Sequence, residues 1–186
     1  MKITRIYYFH NLDLTFKSAQ TIQIVKDYYY LSKFSIDVNI YGTYQNESDY
    51  KEILNFIDNS KVSIFAKRKS VLSRIHLKIL LLKSLVFDSD KKILITRHYK
   101  KLSTAIKLKL FGIDVSIIHE MHEEAFPYLF KKITKNKIKS LFLSENLDNL
   151  IFTNYSQVDF FKDEFGALPK KYVILPNGVE LCKYSN

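Results

Sequence analysis

The chain holds one cysteine, four glycines and three prolines in its 186 residues. A single thiol, Cys182, excludes an intramolecular disulfide, and without a Cys/His cluster it argues against a structural zinc site. Both points fit a reducing cytoplasm. Scarce glycine and proline beside a 47% share of hydrophobic residues exclude collagen-like, low-complexity and disordered readings and imply a packed core. No apolar run reaches the roughly 20 residues that span a bilayer. The apolar run 77–87 is broken by Lys78 and Lys83, and the N-terminus turns polar at His10 before an apolar region of signal-peptide type can form. Acidic residues are missing from 61–87, which carries Lys61, Lys67, Arg68, Lys69, Arg74, Lys78 and Lys83.

What is present suits one domain of ordinary size. The net charge of +10 implies attraction to a polyanion: an anionic membrane, a nucleic acid or a phosphorylated substrate. The same lysines serve equally well as a solvated face. No recognised nucleic-acid motif is present, so nucleic acid is not the expected partner.

Apolar runs of strand length alternate with segments of helical period. Strands are expected over 3–9, 35–41, 61–66, 91–96, 113–119, 150–153 and 172–175, and helices over 18–31, 49–57, 71–87, 101–111, 125–145 and 157–165. Gly112 and Gly166 are expected helix stops, and Ser48 or Asp49, and Ser156, expected N-caps. The alternation predicts an α/β fold, a Rossmann-like doubly wound and mostly parallel sheet with helices on both faces. Ligands of such sheets sit beyond the carboxyl ends of the strands.

The residues that follow the expected strands are therefore the candidates: His10, Arg97 and His98, His119 and Glu120, and Asn154. Four of the five histidines, His10, His98, His119 and His122, fall at or just beyond these strand ends. One such histidine alone is more often a satisfied loop or core residue, and it is the shared location that favours function. Arg97 suits phosphate or carboxylate recognition, or else it pairs with Glu120 or Glu123. The run from His119 to Glu123 straddles a strand end and lacks a third separated ligand, so no metal is expected. No nucleophile elbow or catalytic triad is evident.

Three segments carry a resemblance. The strand-and-turn sequence Ile174-Leu-Pro-Asn-Gly-Val-Glu, the segment 148–156 and the strand end Ile117-Ile118-His119-Glu120 together resemble the N-terminal, acceptor-side domain of retaining GT-B glycosyltransferases of family 4. The resemblance implies one half of a GT-B architecture. Residues 1–175 would be the Rossmann-like N-terminal domain and 176–186 the start of the interdomain linker, the donor-binding C-terminal domain being absent from this sequence. It implies hexosyl transfer from a nucleotide-sugar donor, used as substrate with no separate cofactor, to a sugar or lipid-linked acceptor. Bacterial surface polysaccharide or glycolipid synthesis would be the setting, in the cytoplasm or peripherally at the inner membrane face. The isolated domain would be inactive or nearly so. His119 would be catalytic, and His10, Lys17, Ser18, Arg97, His98, Glu120 and Asn154 would bind substrate. The loop over 11–20 departs from the family in having no glycine, which leaves Lys17 and Ser18 to hold an anion ahead of the helix. The alternative is a non-catalytic Rossmann-like module that binds anionic membrane or nucleic acid through basic helices.

Overall fold

The computed structural model describes residues 4–13, 19–34, 36–44, 46–56, 71–121 and 132–176. Its strands are β1 (Thr4–Asp13), β2 (Asp37–Thr43), β3 (Lys91–Thr96), β4 (Ser116–Glu120), β5 (Asn149–Phe152) and β6 (Tyr172–Ile174). Its helices are α1 (Ala19–Lys33), α2 (Glu47–Phe56), α3 (Val71–Phe87), α4 (Tyr99–Leu110), α5 (Lys132–Phe142) and α6 (Tyr155–Phe165). All strands are parallel, in the order β2-β1-β3-β4-β5-β6. The predicted doubly wound α/β architecture is the one observed.

β1 is an interior strand, held between β2 and β3, and its sequence shows why. Tyr7 and Phe9 enter one hydrophobic cluster while Ile6 and Tyr8 enter another, so alternate side chains fill cores on opposite faces of the sheet. The second cluster lies under α1 and α2, with Ile24, Val25, Tyr28 and Ile53 packed on Val38 and Ile40. The first lies under α3 to α6, where Leu77, Leu81 and Leu85 of α3 and Phe142, Phe161 and Phe165 of α5 and α6 are almost fully buried. Right-handed crossovers dictate this division. The chain moves outward from β1 to β2 and then returns past β1 to β3, and the reversal sends the later helices to the other face.

The amino edge of the sheet is tied by charge. Arg5 donates to Asp88 at 2.7 Å and lies 3.1 Å from Asp90, and Tyr7 donates its hydroxyl to the same Asp88 carboxylate. Burial alone would raise the Asp88 pKa, but the hydrogen bonds from Tyr7 and the Asp90 amide and the charge of Arg5 outweigh it, leaving the carboxyl below its ordinary value. Lys92 donates to the carbonyls of Leu85 and Asp88 at 3.0 Å each, which closes the end of α3.

Several boundaries differ from the sequence expectation. β1 runs past Phe9 to Asp13 through an irregularity in its pairing with β2, because Asp13 still finds Thr43 as a partner. α6 begins at Tyr155 with Asn154 as its N-cap, not Ser156, and α4 begins at Tyr99 with His98 as its cap. Gly166 stops α6 in the left-handed region at φ 69°, as its position suggested. The expected strand at 61–66 and the first part of the expected helix over 125–145 lie outside the described residues.

Candidate functional site

The strand order reverses between β1 and β3, and the carboxyl edge at such a reversal is the place where ligands bind in doubly wound sheets. β3 and β4 deliver their ends beside it. Thr96 and His119 are register partners, and Nδ1 of His119 lies 2.8 Å from Oγ1 of Thr96. That bond fixes the ring plane: either the hydroxyl donates to Nδ1 and leaves the proton on Nε2, or Nδ1 donates to the hydroxyl. The imidazole packs 5.3 Å from the Phe142 ring and only 3% of the residue is accessible, so little of it is open to a ligand.

Arg97 and Glu120 follow Thr96 and His119 by one residue, and alternation sends them to the opposite face. Arg97 is buried there, its Nη2 2.9 Å from Asp27 of α1 and its Nε paired with the Glu120 carboxylate. The Tyr8 hydroxyl reaches the same Asp27 oxygen at 3.2 Å, and the guanidinium carbon stands 5.8 Å from the Tyr8 ring. The pairing of Arg97 with Glu120 is one of the two outcomes left open by the sequence. The tyrosine responds strongly to this setting: burial first, then the carboxylates of Glu120 and Asp27, hold its hydroxyl protonated well above the ordinary tyrosine range. A cavity of about 300 Å³ adjoins the group, lined by Tyr8, Asp27, Ile95, Glu120, Ile151 and Thr153 among others. His119 is not among its walls.

His98 and Asn154 have work within the fold. Nδ1 of His98 accepts the Lys100 amide at 3.1 Å and its ring stacks on Tyr99 at 4.7 Å, so the neutral imidazole with its proton on Nε2 is the form that caps α4. Burial, then the charges of Lys100 and Lys101, lower its pKa from the ordinary value. Oδ1 of Asn154 accepts the Gln157 amide at 2.9 Å, while the Gln157 side chain takes the Thr153 amide at 2.7 Å. His10 lies inside β1 and not in a loop after it. Lys17 and Ser18 lie outside the described residues.

Sequence reasoning missed Lys101. It sits in the first turn of α4, where the helix dipole disfavours a cation, yet it is buried with Nζ 3.9 Å from the centre of the Phe9 ring of β1. The Lys100-Lys101 pair directly after a strand end was the available signal. The candidate residues thus share one edge but divide between two sides: His119 and Thr96 toward α5, Arg97 and Glu120 toward α1.

Among the described residues no three His, Cys, Asp or Glu side chains group as metal ligands, and no helix is long and apolar enough to cross a membrane. No protein-family model matches the chain, and no curated protein matches it.

Proposed function

We propose that this chain is the acceptor-side domain of a nucleotide-sugar-dependent glycosyltransferase of family 4 type, joined in the working enzyme to a donor-binding domain and acting peripherally at an anionic membrane. The observation that carries the reading is the Thr96-anchored His119 at the end of β4, next to β3 and the reversal of strand order between β1 and β3. A ring held in one plane can offer a hydrogen bond to a sugar hydroxyl or a phosphate oxygen without reorganising as charge develops. Lys101, buried beside Phe9 at the same edge, adds a cation suited to phosphate. In this reading Arg97 and Glu120 set the shape and charge of the α1 side of the site, and His98 and Asn154 hold the first turns of α4 and α6 where backbone amides face the edge.

The test is turnover of a panel of nucleotide sugars by the intact two-domain enzyme, comparing His119→Ala with the parent. Loss of a bond made in the transition state costs about 3 kcal/mol, roughly a hundredfold in rate. Turnover unchanged by the substitution removes His119 from the site, and absence of transfer from every nucleotide sugar by the parent rejects the reading.

A further inference from the structure

α3 is apolar on two sides. Leu77, Leu81 and Leu85 are buried against the sheet, and yet Leu72, Ile75, Ile79, Leu82 and Val86 are exposed, Leu72 to 77%. These five recur at alternating steps of three and four residues, which places them in one stripe along the helix. Phe87, 78% exposed, adds apolar surface at the amino edge of the sheet, where Leu110 at the end of α4 and its C-cap Phe111 are exposed as well. Isolated exposed leucines are ordinary on a protein surface, but a continuous stripe over four turns marks a binding surface.

Charge decides what it binds. α3 contains no acidic residue, and the exposed Lys78 and Lys83 lie within the span of the stripe. A second copy of this helix would bring lysine against lysine with no carboxylate of α3 to offset them. An anionic lipid surface complements both properties at once, taking the apolar stripe at the acyl boundary and the ammonium groups among its headgroups. We propose that the outward stripe of α3 is a docking surface for an anionic bilayer, with α3 lying in the plane of the interface. This deepens the peripheral-membrane part of the proposed function and is independent of whether the carboxyl edge transfers sugar. The stripe is also distinct from the lysines of α5, where Lys135 is already paired with Glu164 of α6.

The absence of tryptophan makes the test direct. Ile79→Trp gives the full chain one indole in the stripe, and it is mixed with vesicles of phosphatidylcholine alone or with about one third phosphatidylglycerol. The expected result is a blue shift and quenching by bromine-labelled acyl chains that are much stronger with the anionic vesicles at low salt. Sedimentation of the tryptophan-free chain with the same vesicles should persist in part at high salt, where screening leaves only the apolar contribution. Ile75→Gln with Ile79→Gln and Leu82→Gln should lower that salt-resistant partitioning at least about tenfold. Lys78→Gln with Lys83→Gln should instead remove much of the preference for anionic lipid at low salt. All five positions are exposed, so unfolding is not the expected effect, and circular dichroism of each variant checks this. An indole that stays in water while the protein binds, binding indifferent to the triple substitution, or no binding to either vesicle overturns the proposal. Concentration-dependent self-association abolished by the same triple substitution would assign the stripe to a second copy and likewise overturn it.

Discussion

Thr96 and His119 face each other in register on adjacent strands, and their side chains close a buried 2.8 Å hydrogen bond at the carboxyl edge. β3 thereby sets the orientation of the residue at the end of β4. A threonine hydroxyl is well suited to this task because its β-branched side chain has few rotamers in a strand.

Thr96→Val keeps the shape and deletes the partner. It should destabilise the domain by about 1–3 kcal/mol, because Nδ1 is left buried without that bond, whereas Thr96→Ser should cost distinctly less. Urea unfolding measures both. Equal losses for Val and Ser would show that the methyl group, not the hydroxyl, matters at this position.

Arg97 lies between two carboxylates. Arg97→Met removes the cation that stands between Asp27 and Glu120 and should cost about 3 kcal/mol, since breaking a buried ion pair by removing one partner is strongly destabilising. Adding Glu120→Leu to that variant should recover part of the loss. A double-mutant cycle in chemical denaturation gives the coupling directly, and strictly additive effects would deny the ion pair an energetic role.

Asn154 serves α6 as a cap in the structure and was expected to touch substrate. Asn154→Ala should lose about 1 kcal/mol of stability while Asn154→Asp stays within a few tenths. Under the proposed function, transfer rates of the two-domain enzyme separate the two duties. A variant with full stability but slowed transfer assigns Asn154 to the substrate as well.

His98 should make stability depend on pH. Burial and the charges of Lys100 and Lys101 place its folded pKa below the ordinary 6.5. The unfolded chain therefore takes up the proton first as pH falls, so the contribution is full above about pH 6.5 and is lost progressively as the pH drops toward the folded value. His98→Asn retains a capping side chain without the titration. It should flatten the fall in unfolding free energy between about pH 7 and pH 5, and an undiminished slope would assign that dependence to other groups.

The sheet and its helices were legible because buried parallel strands leave unmistakable apolar runs, such as Lys91–Thr96, between segments of helical period. The glycine stops were legible for the same reason of local chemistry, Gly166 being free to adopt a positive φ. Caps were less so. Asn154 and Ser156 are both good capping types, and the choice of Asn154 follows from where β5 releases the chain, which tertiary packing decides. The site was legible as a set of strand ends but not as an arrangement. Alternation along β3 and β4 sends His119 and Arg97 to opposite faces, and that depends on register to a single residue. The link from Arg97 to Asp27, seventy residues earlier in the chain, had no local signal at all.

The place of β1 between β2 and β3 has a consequence for how the chain is made. One edge of β1 can pair with β2 soon after both leave the ribosome, but its other edge is claimed by β3, and the chain between Asp13 and Lys91 must be synthesised first. Until then Tyr7 and Phe9 have no Leu94 beside them, and a row of backbone donors and acceptors stands open on a strand that is later paired on both sides. A nascent chain of this topology therefore passes through an interval in which a strand with two apolar faces is also a sticky edge, and chaperone demand should be highest before Thr96 emerges.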